Sequence, residues 1–124
     1  MIGEELEFGA FIRKKRLENG VTLRKMAQIM EYSPTYWSDI ENGHRNPPGV
    51  EKLNMICEQL QFEPAERDHL FDLAGDFNKA APPDLTNYLQ DPDVRRALRT
   101  AKSHNATSEM WKDFENSVIK GKSK

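Results

Sequence analysis

The chain has 124 residues, 31% of them charged and 37% hydrophobic, with a formal net charge of −2, a make-up expected of a soluble globular protein of one domain with room for a helical appendage. The mildly negative balance argues against an indiscriminate nucleic-acid binder, and no apolar run approaches the roughly 20 residues that cross a bilayer. Cys57 is the single cysteine, which excludes an internal disulfide and fits a reducing cytoplasm.

The opening Met1-Ile2-Gly3-Glu4-Glu5 is acidic and lacks an apolar stretch, so no secretory signal is expected there. Charge is unevenly spread: residues 1–50 are net neutral, residues 51–90 carry −5 and residues 91–124 carry +3. A surface that meets nucleic acid must therefore be a local patch.

Every informative segment predicts helix. Leu6, Phe8, Phe11 and Ile12 form an apolar stripe beside the basic run Arg13-Lys14-Lys15-Arg16, and Asn19-Gly20 ends that helix. Thr22 caps a second helix, where Leu23, Met26, Ala27 and Met30 recur at helical spacing. Ser33-Pro34 opens a third, since the serine oxygen satisfies orphan amides and proline is pre-set for the first turn; Asn42-Gly43 closes it. After the loop "HRNPP", Val50, Leu53, Ile56, Cys57 and Leu60 line one face of a fourth helix. Pro64 opens a fifth, with Leu70, Leu73 and Ala74 inward and Gly75 expected at its end.

Past Gly75 the texture changes. "DFNKAAPPD" reads as a linker, Leu85, Tyr88 and Leu89 as a short helix, and Asp91-Pro92 as the start of a helix carrying Val94, Ala97, Leu98 and Ala101. A last helix, opened at Thr107 or Ser108, places Trp111, Phe114 and Val118 on one stripe. The expected fold is all-α, with residues 1–75 as one domain and 76–124 as a C-terminal helical extension for packing or dimerisation.

The two short helices 23–30 and 34–42 are joined by Glu31-Tyr32-Ser33, the spacing of a helix-turn-helix. The stretch "GVTLRKMAQIMEYSPTYWSDIENG" resembles the phage-repressor (Xre/Cro-type) helix-turn-helix regulators. Matching positions are Thr22, Met26-Ala27, Ser33, the apolar Trp37 and Ile40, and Glu41-Asn42-Gly43; the likeness covers roughly residues 5–75. Two positions depart from the family pattern. Glu31 stands where the family usually has glycine, which costs roughly 1 kcal/mol if the residue is left-handed. Leu23 stands where the family often has a phosphate-binding glutamine, with Arg24 beside it as a substitute.

The resemblance implies a sequence-specific DNA-binding transcriptional regulator, a repressor in type, that lays helix 34–42 in the major groove. It implies that Pro34, Thr35, Ser38 and Asp39 face base edges, where an aspartate accepts from cytosine N4 and the threonine methyl meets that of thymine. Thr22, Arg24, Ser33, Tyr36, His44, Arg45, Asn46 and the amides after Gly43 are implied to hold the sugar-phosphate backbone, which fixes register without reading sequence. It also pairs Arg16 with Glu41, tying the first helix to the third. The implied partner is a double-stranded operator bound by a homodimer in the cytoplasm, with no membrane and no cofactor.

The same residues admit blander roles. Trp37 and Ile40 read as core, Asp39 as base contact or solvated acid, the remaining cations of Arg13–Arg16 as a wet helix face, and Cys57 as core. His44, His69 and His104 are too scattered for a metal site. No nucleophile–base pair or glycine-rich phosphate loop points to an enzyme. The competing reading is a protein-interaction or antitoxin-like adaptor that retains the fold, which the acidic stretch 51–90 favours.

Overall fold

The computed structural model describes residues 6–121. Met1–Glu5, on which the secretory expectation rests, lies outside the described residues. Among the described residues there are seven α-helices and no strand. They are α1 Phe8–Glu18, α2 Leu23–Met30, α3 Pro34–Glu41, α4 Val50–Gln59, α5 Pro64–Phe77, α6 Pro92–Ser103 and α7 Ser108–Gly121. The chain divides into two compact units between Thr86 and Asn87.

The first unit is built around one core. Phe8 and Ile12 of α1, Met26, Ala27 and Met30 of α2, and Trp37 and Ile40 of α3 meet Leu53, Ile56, Cys57 and Leu60 of α4 and its end. Leu70, Phe71 and Ala74 of α5 complete it. Side chains three and four apart on each helix supply the inward stripe, so helical period and burial coincide. Phe71 joins the core beyond the expected set, whereas Val50, the first residue of α4, stays exposed.

Polar ties fix how the helices meet. Lys15 Nζ donates to Glu66 Oε2 at 2.9 Å, joining α1 to α5, and Asn19 Nδ2 reaches the Leu60 carbonyl at 3.1 Å. Gly9 lets α1 cross the end of α3: a Cβ there would lie 2.4 Å from the Ile40 and Glu41 carbonyl oxygens.

Each of α1 to α6 ends in the same way. A residue with positive φ follows the helix, its amide bonds back three residues, and the next amide bonds back five. The left-handed residues are Gly20, Glu31, Gly43, Gln61, Lys79 and Asn105. The five-residue bonds are Val21 N to Arg16 O, Tyr32 N to Ala27 O, His44 N to Asp39 O, Phe62 N to Cys57 O, Ala80 N to Gly75 O and Ala106 N to Ala101 O, all between 2.8 and 3.1 Å.

This corrects the end of α5. Gly75 does not stop the helix, which runs on to Phe77 and turns at Lys79. Gly75 is buried because the returning chain presses on it, and a Cβ would lie 2.8 Å from the Ala80 carbonyl oxygen. The segment read as a linker is thus part of the first unit, which extends past Gly75 to Thr86.

In the second unit Asp91 caps α6, accepting from Asp93 N at 2.8 Å, and Thr107 caps α7, accepting from Met110 N at 3.2 Å. The short helix expected near Leu85–Leu89 is a single 3-10 turn, Tyr88–Gln90. Neither α6 nor α7 has a buried residue.

Candidate nucleic-acid interface

The turn between α2 and α3 is made by local chemistry. Thr22 Oγ1 accepts from Lys25 N at 3.0 Å and Ser33 Oγ from Tyr36 N at 3.1 Å, so each hydroxyl satisfies an otherwise orphan amide at a helix start. Glu31 takes φ 64°, ψ 40°, the left-handed corner that lets the chain reverse within three residues. Lys52, on α4, closes the other end of α2: its Nζ donates to the Met30 carbonyl at 2.6 Å.

The inner side of α3 is locked by a buried network. Arg16 and Glu41 are 5% and 6% exposed and pair through two parallel bonds, Nε to Oε2 at 2.6 Å and Nη2 to Oε1 at 2.9 Å. Arg16 Nη1 also donates to the Val21 carbonyl at 2.8 Å, and Trp37 Nε1 donates to Glu41 Oε2 at 2.6 Å. Both oxygens of the buried carboxylate are hydrogen-bonded, and the network ties α1, the α1–α2 turn and α3 to one another.

The outer side of α3 is open. Pro34 and Thr35 are exposed, while Ser38 and Asp39 are half-buried. Ser38 Oγ accepts from Asn42 Nδ2 at 3.4 Å. Arg45 reaches back across this face: its Nε lies 3.7 Å from Asp39 Oδ2, and its guanidinium sits 4.6 Å over the Tyr36 ring. Tyr36 packs on Tyr32 with centroids 4.8 Å apart, and Lys52 Nζ lies 5.0 Å over the Tyr32 ring. The result is a chain of contacts, cation to tyrosine to tyrosine to cation, that links Arg45 and α3 to Lys52 on α4. Burial, and then the neighbouring Tyr36, hold the Tyr32 phenol above its ordinary pKa, so it stays neutral.

The structure thus brings Asp39, Tyr36 and Arg45 together beside Thr35 and Ser38. Arg24, His44 and Asn46 are exposed. One expectation is corrected. The His44 amide already donates to the Asp39 carbonyl at 2.8 Å as part of the α3 helix end, so it is not open to a phosphate. The sequence gives Tyr32 only a place in the turn and gives Lys52 no role. Neither carries a motif signal, since both act through α4 and the turn meeting in space.

A family model described as a helix-turn-helix domain matches residues 7–70. The chain belongs to the helix-turn-helix regulators. The regulator is 32% identical to a chain of the clp gene regulator ClgR from Corynebacterium glutamicum, over 78% of this chain and 89% of that one, with a TM-score of 0.45. A chain of the SinR protein/SinI protein complex is 19% identical, over 94% of this chain and 99% of that one, also with a TM-score of 0.45. No curated protein matches the regulator. Its family is one of DNA-binding transcription regulators of the Xre-like type, not of enzymes. No helix among the described residues is long and apolar enough to cross a membrane.

Proposed function

We propose that the regulator reads the major groove of a double-stranded operator with α3 and acts as a repressor, by occupying the site against other proteins. The observation that carries this is the division of α3 into two sides. Trp37, Ile40 and Glu41 are fixed in the core, while Pro34, Thr35, Ser38 and Asp39 lie on the accessible side with an acceptor, hydroxyls and a methyl group that suit base edges. Arg45, Tyr36 and Asn46, with Thr22, Arg24 and Ser33 at the helix starts and the His44 side chain, supply the groups that grip phosphate and sugar. A helix locked from behind presents those groups at fixed positions, as groove recognition requires.

One helix-turn-helix spans few base pairs, and two-fold pairs on half-sites about one turn (~34 Å) apart are the common solution. We assign the pairing to α6 and α7. Trp111 is 42% and Phe114 59% exposed, with Met110 and Val118 beside them, a stripe too apolar to leave in water. The regulator accordingly works as a homodimer in the cytoplasm. Selection of bound sites from random duplexes tests the whole reading. The expected outcome is a consensus with two-fold symmetry. If nothing is enriched, the groove-reading function is wrong and the adaptor reading takes its place.

A further inference from the structure

The second unit has a charged surface that the proposed function does not use. Going around α6, Val94, Ala97, Leu98 and Ala101 occupy one side, and Arg95, Arg99 and Lys102, spaced by four and three residues, share a stripe that flanks it. Arg96 lies at the edge of this stripe and is bonded to Asp93, which cancels its charge locally. The other three are not cancelled. Arg95 is held by neutral acceptors, the Leu89 carbonyl at 2.6 Å and Gln90 Oε1 at 3.0 Å. Among the described residues Arg99 and Lys102 have no ion-pair or hydrogen-bond partner through their side chains. Arg95, Arg96 and Arg99 line a shallow surface depression with Pro92, Thr100 and Ser103.

We propose that this α6 stripe is a second DNA-binding surface, one that grips the phosphate backbone without reading bases. The inference rests on the DNA-binding reading of α3 but concerns residues outside the helix-turn-helix. Charge complementarity selects the occupant. Seven residues of helix place the three cations along roughly 10 Å, a length over which duplex DNA offers about six phosphates counted on both strands. A protein partner fits less well, because the centres of protein interfaces are depleted of charged residues and the stripe contains no apolar side chain. A lipid surface also fits less well. Basic helices that lie in membranes set Trp, Phe and Leu against the acyl chains, whereas the apolar side of α6 has two alanines, one valine and one leucine.

The test is the salt dependence of binding by the full chain to a fluorescent, mixed-sequence duplex a few turns long. Arg99→Ala with Lys102→Ala, two exposed helix positions, should leave the circular dichroism unchanged and lower the slope of log K against log salt by about two. The consensus obtained by site selection should not change. Arg45→Ala serves as the comparison, since it should lower the slope by about one through the α3 side. If Arg45→Ala lowers the slope and the α6 double variant does not, the inference is overturned while the α3 reading stands. An α6 double variant that alters the light-scattering mass with its slope intact assigns the stripe to protein contact, which also overturns the inference. A parent protein that shows no salt-dependent binding overturns both.

Discussion

The two units use the same kind of sequence to opposite ends. In α1 to α5 the apolar stripes converge, and even a charged pair, Arg16 and Glu41, is drawn inside and fully bonded. In α6 and α7 the helices are also capped and amphipathic, yet no residue is buried. Good local signals are therefore enough to form a helix but do not decide whether its apolar side finds a partner within the chain. A stretch of about 40 residues rarely closes a core of its own. The first unit is a finished structure that positions α3; the second, on the function proposed above, is a half-interface.

The sharpest way to break this contrast is to make the first unit unfinished. Glu41→Ala would leave Arg16 with only the Val21 carbonyl and Trp37 Nε1 with nothing. Removing one partner of a buried pair costs about 3–5 kcal/mol, and a denaturant titration should show that loss. Arg16→Met with Glu41→Leu should regain most of it, but not the share that belongs to the indole. Only the further change Trp37→Phe removes that donor. A single variant as stable as the parent would mean that the network does not tie α1 to α3.

Removing the second unit gives the complementary experiment. A chain ending at Thr86 should keep its helical circular dichroism and run as a monomer, while the full chain runs as a dimer. On a two-half-site operator it should bind about a hundredfold more weakly, as two linked sites become independent ones. The cut belongs after Thr86, because ending at Gly75 would remove the Ala80–Pro82 segment that covers that glycine. The two tryptophans report on one unit each: Trp37 is buried and Trp111 is 42% exposed. With Trp37→Phe, the remaining fluorescence should change at a protein concentration where the Trp111→Phe protein is still unaffected. If the full chain is monomeric with and without operator, the half-interface idea fails.

The close approach of α1 to α3 comes next in size. Gly9→Ala puts a Cβ against two backbone carbonyls rather than against a side chain that can swing aside. Overpacking of this kind costs about 1–3 kcal/mol, and the upper end is expected here. Gly20→Ala meets nothing within 4 Å and suffers only the strain of its positive φ. A melt of the two variants should therefore rank Gly9→Ala as the more damaging. The reverse order would show that α1 can shift away from α3 at little cost.

Much of this was legible in the chain itself, and the failures share one cause. Period-3.6 stripes gave the core apart from Phe71, because its side chains sit on helices or, like Leu60, at a helix end. Thr22, Ser33, Asn19-Gly20 and Asn42-Gly43 marked boundaries because those residue types satisfy or relax specific backbone groups. The helix ends at Gln61 and Lys79 had no such mark, since a left-handed glutamine or lysine is tolerated only where the next amide finds its carbonyl. Gly75 misled for the converse reason: its small size serves the returning chain, not a turn. Lys52 over Tyr32 carries no sequence signal because α4 and the turn meet only once the fold exists, and the reach of Arg45 toward Asp39 depends on how the chain turns back after Gly43.

The Asp39–Arg45 contact sharpens what the outer side of α3 does. If Asp39 accepts directly from a base, Asp39→Ala should change preference at one position of each half-site, by about 1–3 kcal/mol. Arg45→Ala should weaken binding to all duplexes by a similar factor and flatten the salt dependence, since a phosphate contact carries no base information. The double variant separates the roles. Additive losses mean that the two residues act on DNA independently. A double variant no worse than Arg45→Ala on every sequence would mean that Asp39 only orients the arginine, and direct readout by Asp39 would be refuted.

The smallest effect expected is a proton-linked one, and it isolates the first unit because the chain's one cysteine lies there. Burial is the main cause that pushes the Cys57 thiol from 9.0 up to about 11, with Glu58 adding to the rise and Arg67 opposing it. The folded state therefore holds the proton over a range where the unfolded chain has released it. Below pH 9 both states carry the thiol, and its protonation contributes no slope. Between pH 9 and 11 the unfolded chain binds fewer protons, so stability falls as pH rises. The parent should lose stability across that window faster than Cys57→Ala does, measured as the difference between two denaturant series at each pH. A thiol reagent at pH 8 should correspondingly label Cys57 at the rate at which the first unit opens, and cutting the chain after Thr86 should leave that rate nearly unchanged. Labelling as fast as that of a free thiol would show that α4 is not closed over Cys57, and with it the claim that this unit is complete on its own would fall.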